Sequence, residues 1–225
     1  MDKIAIYTCI IGAYDKLRQP LETHPEFDFI CFVGKGEEHP ATDGVWTIRE
    51  LPASLRDAAL DARYPKTHPH ELLPEYECSV WIDGNIIIRD STLYKAALAK
   101  RSAGVLFSGV THPSRDCVYD EAVKCRDMGY ITYFKLFRIL LFYKLHGVAR
   151  HDGLYEANLI FRRHNHPDII RFNTMWWDKV RHFCRRDQLS QMWCLRKCGI
   201  TRDCLLPYGQ STRNNPGFEY LRHGQ

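Results

Sequence analysis

The stretch Ser79-Val80-Trp81-Ile82-Asp83-Gly84-Asn85-Ile86 constrains this chain more than any other. An apolar, β-branched run stops at a carboxylate, a glycine turns the chain, an amide side chain follows, and the apolar run resumes. A buried strand that presents Asp-Gly-Asn at its carboxyl end is suited to holding a hard divalent cation and a diphosphate bound to it. The same residues also suit a plain β-turn between two strands, because Asp-Gly and Gly-Asn are strong turn signals. The remainder of the chain decides between the two.

Strands and helices alternate through the first half. Residues 3–10 read as a buried strand ended by Gly12, and residues 27–33 as a second strand closed by Gly34-Lys35-Gly36. Residues 45–51 form a third, after which Ser54 is expected to cap a helix running to about Arg63. A short helical piece near 70–76 precedes the strand 78–82, a helix over 92–100 starts from Ser91, and 104–108 is another buried strand. This spacing predicts an α/β sandwich around a mainly parallel sheet. From 111 onward helices dominate, over 115–128, 131–146, 167–183 and 187–197, interrupted by one strand at 156–162. No Gly, Ser or Pro linker divides the 225 residues, so a single domain is expected, with 1–110 as a nucleotide-binding half and 111–225 as a substrate-binding half. G-x-G-x-x-G and Walker fingerprints are both absent, which argues against the dinucleotide and P-loop versions of this architecture.

A net charge of +4 with dispersed cations suits anionic phosphates or acidic lipid head groups and argues against a nucleic-acid groove. The nine cysteines include no C-x-x-C pair. With no signal-peptide pattern at Met1-Asp2-Lys3, free thiols in the reducing cytoplasm are expected. The apolar segment 130–148 carries Lys135, Arg138 and Lys144, too many charges for a bilayer span. It reads as a helix docked on the core or as one lying at a membrane surface.

Ligands of open α/β sheets bind beyond the carboxyl ends of the strands. That rule brings the first strand's end (Thr8, Ile11, Gly12, Tyr14) towards Asp83, Gly84 and Asn85. Tyr14 is placed to stack on a base. Arg56, Arg63 and Lys66, with His68 and His70, form a basic stretch suited to a diphosphate, although such residues also make an ordinary solvated helix face. His112 and Arg115 stand at a strand-to-helix junction, where they either contact phosphate or sugar or belong to a capping loop. Glu156 opens the late strand. Asp187 and Gln188 start the last helix, where Asp187 serves as a cap, contacts sugar hydroxyls, or takes a proton from an acceptor.

Taken in order, Ile11-Gly12-Ala13-Tyr14-Asp15 with Gln19-Pro20, Trp81-Ile82-Asp83-Gly84, His112 and Arg115 with Glu121-Ala122, Glu156 and Arg162, and Arg186-Asp187-Gln188-Leu189-Ser190 resemble one family. It is the glycosyltransferase-like family of plant mucilage and cell-wall polysaccharide proteins and their bacterial and viral surface-glycan relatives. The resemblance implies a GT-A fold and a nucleotide-sugar donor, UDP-sugars favoured, with hexosyl or deoxyhexosyl transfer to a surface polysaccharide (O-antigen, capsule) or lipid-linked glycan. It also implies a divalent metal, manganese or magnesium, held by Asp83 and Asn85, with Asn85 standing where the usual motif has a second aspartate. Asp187 and Glu156 are then the catalytic candidates. A non-catalytic nucleotide- or glycan-binding module on the same fold is the alternative. A phosphotransferase or nuclease would need more carboxylates near Asp83 than this chain has.

Overall fold

The computed structural model describes residues 3–12 and 14–221; Ala13 of the first loop lies outside them. In chain order the strands are β1 (Ile4–Cys9), β2 (Phe27–Val33), β3 (Thr42–Asp43), β4 (Trp46–Glu50), β5 (Ser79–Ile82), β6 (Ile86–Ile88), β7 (Phe107–Thr111), β8 (Tyr155–Arg162) and β9 (Phe218–Tyr220). The helices are α1 (Ala58–Asp61), α2 (Tyr64–Thr67), α3 (Pro69–Leu72), α4 (Thr92–Ser102), α5 (Val118–Asp127), α6 (Tyr133–Leu145), α7 (Pro167–Asp178) and α8 (Gln188–Lys197). A π-helical turn, Lys179–Phe183, extends α7.

The main sheet runs β3-β4-β2-β1-β5-β8-β7, with β1 parallel to both β2 and β5, and β8 antiparallel to β5 and β7. It is the mainly parallel α/β sandwich that the alternating elements predict. Because strand side chains alternate between faces, β1 feeds two cores. Ala5 and Tyr7 pack with Ile30, Phe32 and Trp81 on the side covered by α5 to α8, and Ile4 and Ile6 pack with Phe29, Val80 and Ile82 on the side of α4. Burying each such apolar side chain is worth about 1.5–3 kcal/mol.

The topology also positions the ligand cleft. The chain leaves β1 towards β2 and β4, then returns to β5 on the other side of β1, so the strand order reverses between β1 and β5. In open α/β sheets this switch point is where ligands bind. Asp83 follows β5 there, and its N–H donates to Asn158 O (3.0 Å), which ties it to the middle of β8.

Several local expectations are corrected. The helix expected from Ser54 begins at Ala58, capped by Asp57, whose carboxylate accepts from Ala59 N (3.1 Å). Ser54 Oγ donates to Asp61 Oδ2 (2.8 Å) instead, and Arg56 takes a positive φ of 57°, which no helix accommodates. The piece expected at 70–76 is α3, ending at Leu72, and α2 precedes it; each begins with a proline in its first turn. Ser91 makes no capping bond; Asp90 Oδ1 accepts from Thr92 N (2.8 Å) in its place. The strand read at 104–108 lies at Phe107–Thr111, and it needs Gly109, where a Cβ would stand 2.7 Å from the Tyr155 ring. Nothing in the sequence reading anticipated the β6–β9 pair, which holds the C-terminal segment beside the Asp83 turn through Ile86 and Tyr220.

Candidate active site

A cleft of about 840 Å³ opens at the β1/β5 switch point. Its floor holds three groups in a line. Lys66 Nζ donates to Asp187 Oδ2 at 2.7 Å and reaches Asp83 Oδ1 at 3.3 Å. Trp81 Nε1 donates to the same Asp83 oxygen at 2.7 Å, and the Lys66 ammonium lies 5.3 Å from the centroid of the Trp81 ring. Each member is set by its element. Asp83 ends β5; Lys66 comes from α2; Asp187 caps α8 by accepting from Gln188 N (2.9 Å), and its carbonyl is held by Trp176 Nε1 (2.9 Å). Arg162, buried in β8, donates to Lys66 O (2.7 Å) and to Asn173 Oδ1 (2.8 Å), tying α2 to the sheet and to α7.

Electrostatics separate the two catalytic candidates. Burial pushes the Asp187 carboxyl up, but Lys66, Arg63 and Arg186 outweigh it and hold the group well below the usual carboxylate range. A carboxylate so stabilised is a weak base. Burial raises the Glu156 carboxyl, Arg213 offsets part of that shift, and nearby Asp83 adds to it. Glu156 Oε1 accepts from Arg213 Nε, while Glu156 Oε2 and Asn158 Oδ1 are buried without partners. Those two oxygens suit donors such as sugar hydroxyls.

A second cluster forms the opposite wall. Arg115 Nε donates to Glu121 Oε2 at 2.5 Å, and His112 Nδ1 accepts from Arg115 N at 3.0 Å. Burial and the Arg115 charge push the His112 imidazole down to about 4, so it is neutral at physiological pH.

Of the residues singled out from sequence, Ile11, Tyr14, Arg63, Lys66, Asp83 and Gly84 line the cleft on the β1/β5 side. His112, Arg115, Glu156, Asp187 and Gln188 line it on the other. Six do not line it, His68 and His70 of the basic stretch among them. Thr8 is buried beneath, its Oγ1 unpartnered. Gly12 turns the loop at φ 63° and donates its N–H to Glu37 Oε1 (2.9 Å). Arg56 is exposed on the loop before α1. Asn85 is buried outside the lining; its Nδ2 donates to Leu221 O (2.7 Å), and its Oδ1 has no partner.

The expected Asp83–Asn85 metal pair therefore does not fit. Asn85 lies outside the cleft lining, and Asp83 Oδ1 already accepts from the Trp81 indole and the Lys66 ammonium. Another group with ligating chemistry, Cys117, Asp120 and His151, also stands outside the cleft lining. There His151 Nδ1 is bonded to Asp116 Oδ1 (2.8 Å), and Asp120 pairs with Arg150.

Sequence reasoning missed Arg213 and Tyr220. Both line the cleft, with the Arg213 guanidinium 3.9 Å from the Tyr220 ring centroid. They sit in a tail with no periodic pattern, brought to the site by the β6–β9 pairing and by Asn158 Nδ2 donating to Thr212 Oγ1 (2.8 Å).

A family model described as TOD1/MUCI70, glycosyltransferase-like domain, matches residues 1–207. This chain belongs to the TOD1/MUCI70 glycosyltransferase-like domain family. The match spans every cleft residue so far named except Arg213 and Tyr220. One relative in the TOD1/MUCI70 group is the probable hexosyltransferase MUCI70 of Arabidopsis thaliana, 23% identical over 215 residues. That alignment covers 83% of this chain, which spans only 36% of the plant protein's length. Among solved structures, the apo bifunctional glycosyltransferase WbbM aligns at a TM-score of 0.48 and 13% identity, covering 92% of this chain and 39% of WbbM.

Proposed function

We propose that this TOD1/MUCI70 domain is a glycosyltransferase that moves a hexosyl or deoxyhexosyl group from a nucleotide-diphosphate sugar, a UDP-sugar by preference, to a surface-polysaccharide or lipid-linked glycan acceptor. The observation that carries the reading is the Asp83–Lys66–Asp187 line at the switch point of the sheet, in a cleft of the size a sugar nucleotide needs. The 1–110 half supplies the nucleotide side, with Ile11 and Tyr14 at the base and Arg63 and Lys66 towards the diphosphate. The 111–225 half supplies His112, Arg115, Glu156, Asp187 and Gln188 to the donor sugar and the acceptor.

We assign the retaining course to the reaction. Asp187, a weak base paired with Lys66, accepts hydrogen bonds from donor-sugar hydroxyls and anchors Lys66, and Glu156 is bound to Arg213. The acceptor oxygen bonds to the anomeric carbon on the face from which the diphosphate departs. The C1–O bond breaks with its electron pair going to the diphosphate, and the acceptor's proton passes to the departing phosphate oxygen. We assign the 130–148 segment to contact with the cytoplasmic face of the membrane that would carry a lipid-linked acceptor.

Asp83→Ala is expected to abolish sugar transfer and donor hydrolysis in purified protein while the fold survives. Wild-type turnover in that variant removes Asp83 from the mechanism. An inverted anomer in the product spectrum would overturn the retaining step. In a binding module without catalysis, nucleotide raises the melting temperature but no acceptor gives turnover.

A further inference from the structure

We propose that the donor diphosphate is neutralised in this cleft by protein cations, with Arg213 as the principal phosphate ligand, and not by a divalent metal. The inference rests on the transferase reading and goes beyond it by naming what holds the leaving group. Four carboxylates of the cleft already carry a cation: Lys66 serves Asp83 and Asp187 on the floor, Arg213 serves Glu156, and Arg115 serves Glu121 on the opposite wall. A dication on the Asp83 carboxylate would face the Lys66 ammonium, which stands 3.3 Å from its Oδ1. The second residue of the expected ligand pair, Asn85, is committed to Leu221 outside the lining.

Arg213 has the chemistry for the role. Its guanidinium presents a planar fork of donors that matches phosphate oxygens, and it keeps its charge at any working pH. Tyr220 lies against the guanidinium at 3.9 Å, and β9 fixes Tyr220 to β6, directly after the Asp83 turn. The Arg213 side chain is 44% exposed while its partner Glu156 is 5% exposed. Already in the lining, the cation can turn from Glu156 to a phosphate, whereas the carboxylate stays put. Its departure leaves Glu156 free to accept from sugar hydroxyls as the donor arrives.

The test is titration calorimetry of the full chain with UDP, GDP and dTDP, in EDTA and in manganese. Expected is the same affinity for the preferred diphosphate in both buffers, within about twofold. Arg213→Met should weaken it about ten- to a hundredfold, with Arg213→Lys recovering part. Unfolding curves of both variants check that Glu156 tolerates the change. Binding that requires manganese, or an Arg213→Met variant that binds like wild type, overturns the inference and leaves the transferase reading standing. Failure of all three nucleotides to bind in either buffer sinks both.

Discussion

Lys66 carries more of this site than any other side chain. It is 7% exposed, pairs with two carboxylates, and is presented by a four-residue helix whose backbone is held by the buried Arg162. Removing one partner of a buried pair leaves the other charge uncompensated. Lys66→Met is therefore expected to lower unfolding stability by about 3–5 kcal/mol in urea titrations. Replacing both partners, Lys66→Met with Asp187→Leu, should restore most of that loss without restoring transfer. If the double variant is no more stable than the single one, the pair does not act as a unit. The position of Lys66 in a basic stretch was legible in the sequence. Its two partners, 17 and 121 residues away, were not, because nothing local encodes a contact over that separation.

Helix α6 shows why an element's environment matters as much as its pattern. Phe134, Phe137, Leu141 and Leu145 recur at helical spacing and are exposed, while Ile139 and Tyr143 on the opposite face are buried in the core. A helix apolar all round is ordinarily enclosed; this one leaves half its apolar surface open. The helix contains no acidic residue, and Arg138 and Lys144 are exposed on it, so its chemistry matches an anionic lipid surface rather than a second copy of the same basic face. No helix among the described residues is long and apolar enough to cross a membrane. Changing Phe134, Phe137 and Leu141 to serine should release the protein from phosphatidylglycerol vesicles, each substitution costing about tenfold in partitioning. Its melting temperature should hold. Unchanged vesicle binding, or a wild-type dimer that the triple variant dissolves, assigns the stripe another role.

At the scale of the molecule, pH reports on the buried histidines. Burial pushes His68, His112 and His164 down to about 4 from an ordinary 6.5. His164 is fully enclosed, and its Nε2 donates to Leu73 O (2.9 Å). Between those values the unfolded chain binds protons that the native state refuses, so stability is full above 6.5 and is lost as pH falls towards 4. Glu156, raised by burial, works in the opposite sense, but it is one group against three. The melting temperature is expected to drop by about 5 °C or more between pH 7 and pH 5, and His164→Gln should flatten the decline. A flat profile for the wild type would mean that these imidazoles take up protons in the fold as readily as in the unfolded chain.

Local residue order was enough for the alternation of strands and helices, the two-faced burial of β1, and the Asp83 turn at the end of β5, because side-chain periodicity and turn chemistry act over a few residues. It was also enough for the family resemblance, whose motifs fall within the matched stretch. The antiparallel insertion of β8, the β6–β9 pairing and the cations on Asp83, Asp187 and Glu156 were decided by packing between distant segments. Asn85 illustrates the division. Its place two residues after Asp83 suggests a ligand pair, yet its direction is set by Leu221, a partner 136 residues away that only the folded chain brings within hydrogen-bond reach.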